Sequence, residues 1–340
     1  MAKAKEIEGL DCNASIIIGA KVVLRVRLDE MCALREAALN WDDIEGVHDM
    51  RVASRRLRGI IREFEPYFRK HELRAMHDEV KRVADALGGV RDEDVAIAGL
   101  EKLSEDAPPD VSEGIQKIVG ERRRRREGAR AVLTELISAY ALSKLRYDCL
   151  AAIENAEARR SNKNKDKEGL NVAALSFREA GQQIISEGWR ALKKRSASLQ
   201  RPHKTKPLHK MRITAKRLRY AIELYCQCWS EPLRPFAKEL AKLQSALGDL
   251  HDCDMWIEDL GEQLRVLDNK NEDAATTLHD ALAAKSASLS EEHAKARPTV
   301  VWLMCHFTTQ RAELYRDALK RWHEWESDDF ARRLFEQLST

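Results

Sequence analysis

The chain reads as an all-α protein built as a tandem repeat, with about four helices in each copy. Three observations predict this. Gly and Pro are scarce, at 15 and 8 of 340 residues, while Ala, Leu, Glu, Lys and Arg abound, a composition that favours helix over sheet. No strand-rich stretch competes with it. The third observation is a duplication. His48-Asp-Met-Arg51 followed by Arg55-Arg-Leu-Arg58 returns 161 residues later as His209-Lys-Met-Arg212 followed by Lys216-Arg-Leu-Arg219. Leu87-Gly88 with Arg91-Asp92-Glu93-Asp94 returns 160 residues later as Leu247-Gly248 with His251-Asp252-Cys253-Asp254. Two separate matches at almost one offset mark an internal repeat.

The elements follow in order. The first repeat spans 14–156, with helices expected near 14–39, 47–69, 72–87 and 92–103, then one or two longer ones within 112–156. Asp106 to Ser112, which contains Pro108 and Pro109, reads as a loop. Residues 157–171 are polar and densely charged and read as a linker. The second repeat spans 172–335, with loops near Gln200 to Pro207 and Asp268 to Ala275. Gly88 and Gly248 are expected to end a helix in the left-handed conformation, with Asp92 and Asp252 capping the next.

Charged residues make up 34% of the chain but leave a net charge of only +3, so affinity for a polyanion must rest on placement rather than total charge. Seven cysteines, an odd number without paired spacing, fit a reducing compartment better than a disulfide framework. The apolar run Ile16 to Ile18 is too short to span a membrane and lacks a signal peptide's cleavage region. A cytoplasmic protein with no membrane partner is expected.

Placement is informative. On a helix turning 100° per residue, His48, Arg51, Arg55, Arg58 and Arg62 fall within an arc of roughly 80°. Met50, Ala53, Leu57, Ile60, Ile61 and Phe64 occupy the opposite side, so the basic stripe points away from the core. His209, Arg212, Lys216 and Arg219 repeat the stripe, but Glu223 stands where the first copy has Arg62. Net charge reaches +4 from His48 to Arg62 and +7 from His203 to Arg219, counting histidine neutral. Like charges about 4 Å apart repel by about 1 kcal/mol even in water. A bound polyanion relieves that crowding. A solvated helix face is the simpler reading of one such run; its recurrence in a diverged second copy favours function.

The double motif, His-x-x-Arg with basic-Arg-Leu-Arg followed by Leu-Gly-x-x-Arg/His-Asp-x-Asp, resembles the CHAD family of histidine-bearing helical domains, over about Ser15 to Arg333. The resemblance implies two four-helix-type bundles related by a pseudo-two-fold, with the basic helices lining a shared groove that binds inorganic polyphosphate. It also implies association with polyphosphate granules. CHAD modules often accompany a triphosphatase domain, whose repeated ExExK pattern is not seen in this sequence. Neither catalysis, nor a cofactor, nor a metal is expected.

By this reading Arg51, Arg55, Arg58, Arg62, Arg212 and Arg219 make forked hydrogen bonds to phosphate oxygens, and Lys216 acts as a compact charge. His48 and His209 lie near helix N-termini, where free N–H groups favour anions. Lys210 follows His209 within the second basic run. Arg56 and Arg217 lie off the stripe and equally suit a neighbouring helix. Arg82 and Lys242, matched across the repeats, extend the groove or stay on the surface, and Arg91 and His251 are similar cases. Arg122 to Arg126 encircle a helix and cannot all face one ligand.

Two other functions use the same residues. Non-specific nucleic-acid binding needs the same cations but normally adds aromatic stacking platforms, and none lies within either stripe. A metal-dependent phosphohydrolase is suggested by the His-Asp pairs at His48, His77 and His251, yet Asp49 becomes Lys210 in the second copy.

Overall fold

A computed structural model describes residues 7–159, 175–229, 233–276 and 283–339. Among them every regular element is helical: α1 Ile16–Ala33, α2 Arg35–Ala38, α3 Ile44–Phe64, α4 Arg74–Glu105, α5 Pro109–Leu136, α6 Ala139–Asn155, α7 Phe177–Arg195, α8 Thr205–Tyr225, α9 Arg234–Thr276, α10 Ala283–Ser327 and α11 Phe330–Leu338. Short 3-10 turns extend α3 over Glu65–Tyr67 and α8 over Cys226–Trp229.

Local chemistry sets the helix starts. Ser15 accepts a hydrogen bond from the Ile18 amide at the head of α1, and Asp43 accepts one from Glu45 at the head of α3. Ser176 and Glu179 form a reciprocal capping box on α7. Pro109 opens α5, where its missing N–H costs nothing.

Packing repeats along the chain. α1 packs on α3, α3 on α4 and α4 on α5; α7 packs on α8, α8 on α9 and α9 on α10. The repeats meet through counterpart residues. Ile16 donates its amide to the Leu175 carbonyl and Phe177 to the Ala14 carbonyl, both at 2.9 Å, closing a bridge between Ser15 and Ser176. Gly59 of α3 faces Tyr220 of α8, its own counterpart at the offset of 161. One core crosses this junction: the Phe177 ring packs at a tilt against Tyr225, centres 4.6 Å apart, and lies 6.1 Å from Phe64. A smaller cluster, including Ile97, Ile115, Leu260 and Leu303, ties α4 and α5 to α9 and α10.

Several expectations are corrected. The helices expected at 72–87 and 92–103 are one helix, α4, and α9 likewise runs through Gly248. Neither glycine ends a helix, so Asp92 and Asp252 are not caps. The helix expected over 14–39 breaks at Leu34, and 268–275 continues α9 rather than forming a loop. Packing between long neighbouring helices outweighs the roughly 1 kcal/mol disadvantage of an internal glycine. Of the linker expected at 157–171, residues 160–171 lie outside the described residues. The cysteines hold a further correction: Cys12 and Cys228 form a disulfide, 216 residues apart in sequence. Spacing cannot reveal a pair that only folding brings together. No helix is long and apolar enough to cross a membrane among the described residues.

Candidate functional site: a basic cleft at the helix crossing

The apolar face of α3 is buried, with Met50, Leu57 and Phe64 fully enclosed, and this fixes the opposite face toward α4. A cleft of about 470 Å³ opens there. Arg51, Arg55, Arg58 and Arg62 line it from α3, and Lys216 enters from α8. α4 forms the other wall through Ala84, Asp85, Gly88, Gly89 and Asp92. Gly88 has a role that helix-ending does not describe. A β-carbon there would stand 3.8 Å from Nε of Arg51, and at Gly248 3.5 Å from Nε of Arg212, so each repeat lays its first stripe arginine across the bare backbone of the next helix.

Two cleft arginines are parked on carboxylates. Arg51 donates to Asp92 at 2.9 Å and Arg58 to Asp85 at 3.2 Å. Both acids are well exposed, at 70% and 59%, so these pairs hold geometry at little energetic cost and yield readily to a competing anion. Burial pulls Arg55, Arg62 and Arg212 below the usual guanidinium range. Lys216 departs furthest: burial, then Arg55, Arg212, Arg51 and Arg58, hold its ammonium down to about 6. Asp249 and Asp252, beside Arg212, are raised by burial.

The second stripe is arranged differently. Arg219, the counterpart of Arg58, is only 4% exposed; its guanidinium lies over the Tyr220 ring at 4.8 Å and 3.5 Å from Glu223. Ser245 stands at the position equivalent to Asp85, so no carboxylate occupies the place that draws Arg58 outward in the first repeat. Thus Arg219 is not a cleft-lining residue. Arg56 is a second correction. It is 7% exposed and points inward to Glu30 of α1 at 3.5 Å, beside the Arg27–Glu30 pair, because the helix turn that aims Arg55 into the cleft aims Arg56 at α1.

Arg217 stays exposed and lies near Arg62, extending positive charge past the crossing. The rings of His209 and His251 meet at a tilt with centres 4.1 Å apart, and burial, followed by neighbouring groups including Arg212, lowers both. His48 is lowered by burial and then by Arg91, which itself lies 3.7 Å from Glu45. None of these histidines lines the cleft. Lys210, Arg82 and Lys242 are exposed outside it, Arg82 paired with Glu79 at 3.0 Å.

The motif aspartates divide by role. Asp94 and Asp254 are buried and bind arginines of the following helix, Arg126 at 3.5 Å and Arg311 at 2.5 Å. Asp92 faces the cleft. Sequence reasoning missed Asp85 as a wall residue, and its only signal was a spacing of two helical turns from Asp92. Of the Arg122 to Arg126 run, Arg122 covers Trp256 at 4.9 Å and reaches Glu93, while Arg123 pairs with Glu101 at 2.5 Å. These contacts are structural. Glu45, His48 and Asp49 bring potential ligand atoms within 4.8 Å of one another, but Lys206 and Lys210 replace both acids in the second repeat.

Comparison with known proteins agrees with this architecture. Two Mycobacterium tuberculosis proteins, Uncharacterized protein Rv2226 of strain H37Rv and Uncharacterized protein MT2285 of strain CDC 1551, are each 26% identical over 265 residues, covering 77% of this chain. The chain spans about half of their length, 48%. The crystal structure of the CHAD domain from the plant Ricinus communis superposes with a TM-score of 0.62 at 21% identity, covering 92% of each chain. PptA from Streptomyces chartreusis gives a TM-score of 0.51 at 13% identity, covering 90% of this chain and all of that one. The CHAD domain family model matches residues 22–261, which include both basic helices and both glycine-aspartate segments, and the chain belongs to the CHAD-domain family.

Proposed function

We propose that this chain binds inorganic polyphosphate in the cleft between α3 and α4, without catalysing its turnover. One observation carries the reading: Arg51, Arg55, Arg58 and Arg62 of one helix and Lys216 of another converge on a single cleft. Guanidinium forks match successive phosphate oxygens, and a flexible chain of phosphates satisfies closely spaced cations better than one small anion does. The association of CHAD domains with polyphosphate supports it. Positioning on polyphosphate granules, in the cytoplasm, follows as part of the same proposal.

The test is affinity for polyphosphate as a function of chain length and salt. Affinity is expected to rise with length until the cleft is filled, and its logarithm to fall with log salt, by analogy with counterion release from nucleic acids. Absent or length-independent binding overturns the reading. Phosphate release, assayed with and without divalent ions, is expected to stay at background.

Non-specific nucleic-acid binding is the second reading, because it draws on the same cations. It is disfavoured by the cleft walls, which contain no aromatic residue on which a base could stack. Tyr220 lies against Arg219 at the helix crossing instead. Displacement of polyphosphate by short RNA or DNA at equal phosphate concentration would reverse the preference.

A further inference from the structure

We propose that Lys216 is a proton-accepting anchor: it receives a proton from solvent as polyphosphate enters the cleft, so binding strengthens as pH falls. The inference rests on the polyphosphate reading above and concerns how the same site is regulated.

Geometry is the main argument. Lys216 stands at the position where the first repeat has Arg55, and the helix crossing at Gly59 and Tyr220 brings these counterparts to one cleft. From α3 it faces Arg51, Arg55 and Arg58; from its own helix it faces Arg212 and the Tyr220 ring, 5.7 Å from Nζ. On α4, Asp85 and Asp92 line the same cleft, but they are engaged by Arg58 and Arg51. On α9, Asp249 and Asp252 lie beside Arg212, and so does His251 between them. No carboxylate pairs with Lys216 among the described residues. An amine enclosed by permanent cations is the group that sheds its proton, since guanidinium cannot.

Without a polyanion beside it the amine is held down to about 6, which favours the uncharged form near neutral pH. An arriving polyanion neutralises the surrounding arginines and adds negative charge within reach of Nζ. The ammonium is then favoured, and one proton passes from water or buffer to the lysine nitrogen. Linkage fixes the sign: between the empty-state and bound-state values, affinity gains up to about tenfold for each unit of pH lowered, the slope of one linked proton. His48, His209 and His251 are also held low, so they contribute below the usual histidine range rather than above neutrality. Arginine at this position stays charged throughout.

The full chain is titrated calorimetrically with long-chain polyphosphate near pH 7.5, in Hepes and in Tris, whose ionisation heats differ. Long chains keep terminal phosphates, which titrate at about pH 6, a minor contribution. Uptake of more than about half a proton per site is expected. Lys216→Arg is expected to take up almost none, to bind about tenfold more tightly than the parent near pH 8, and to lose most of the pH slope. Binding with no proton uptake in the parent, or uptake unchanged in Lys216→Arg, overturns the inference while leaving polyphosphate binding intact. No binding of polyphosphate at all, checked by equilibrium dialysis in the same buffers, overturns the functional reading and this inference with it. A measurement independent of any variant follows the Lys216 Nζ resonance in the parent protein. Its titration is expected to move up by about 2 units or more when polyphosphate is added, and an unmoved titration contradicts the assignment.

Discussion

Two helices carry nearly the same basic motif, yet α3 and α8 use it differently. On α3 the stripe stays in the open: Arg58 is 25% exposed and leans across to Asp85. On α8 the counterpart Arg219 folds onto Tyr220 and Glu223 and is 4% exposed. Three changes, from Asp85 to Ser245 on the wall, from Gly59 to Tyr220 at the crossing and from Arg62 to Glu223 at the end of the stripe, separate a partly exposed cation from a buried one. The comparison teaches that a duplicated motif need not be a duplicated site. The first repeat supplies most of the cleft, and the second contributes Lys216.

The comparison can be broken most severely by reversing charge on the α3 side. Arg51→Glu with Arg55→Glu is expected to weaken polyphosphate binding by more than about 100-fold, since each lost charge-assisted hydrogen bond is worth about 1.5–3 kcal/mol. The helical signal in circular dichroism should be unchanged, because neither side chain belongs to the core. Retained affinity in the folded double variant would remove α3 from the site.

Next in size is the contrast between the paired motif aspartates. Asp254→Ala strands the nearly buried Arg311 and is expected to cost about 3 kcal/mol in denaturant unfolding. Asp94→Ala breaks a longer pair with the more exposed Arg126 and should cost less, about 1–2 kcal/mol. An inverted order would contradict the assignment of these residues as ties between helices.

A third contrast sharpens the asymmetry itself. Arg58→Ala is expected to weaken binding about tenfold with little effect on stability, whereas Arg219→Ala should lower stability by about 1–2 kcal/mol and binding by less than about threefold. Equal effects on binding, read in the same titration, would restore a symmetric groove.

Glu63 offers a contrast of pH. It occupies the position of the buried Leu224, its Oε1 atom is buried without a hydrogen-bond partner, and burial raises it to about 8 against a lowering pull from Arg217. A raised carboxyl stabilises the fold fully below its ordinary value of 4.5, and that contribution is lost as pH rises through about 8. Melting temperature should therefore fall between about pH 5 and about pH 9. Glu63→Leu is expected to flatten that decline and to gain about 1–2 kcal/mol near neutrality. An unaltered pH profile would show that Glu63 does not titrate in this range.

Much of the site was legible beforehand because a helical period is a local property. The spacing from His48 to Arg62 placed four arginines on one face, and all four line the cleft. Arg56 and Arg217 were ambiguous on the helical wheel, and their neighbours decided them: Arg56 meets Glu30 of α1, while Arg217 lies beside Arg62. Gly88 and Gly248 were misread because their flanking sequence satisfies the local pattern of a helix end. Both sit inside long helices whose packing supports them.

Composition, the recurrence of one motif at an offset of 161 residues and amphipathic spacing by themselves determined that this chain is helical and carries two helices basic on one face, since composition and helical period are read from the chain without its neighbours in space. Tertiary structure alone decided that Lys216 joins the first repeat's cleft, that Arg219 is withdrawn onto Glu223, and that Cys12 meets Cys228. These outcomes depend on how α3 and α8 cross and on which side chains lie opposite. No periodicity within one helix encodes the contents of its neighbour.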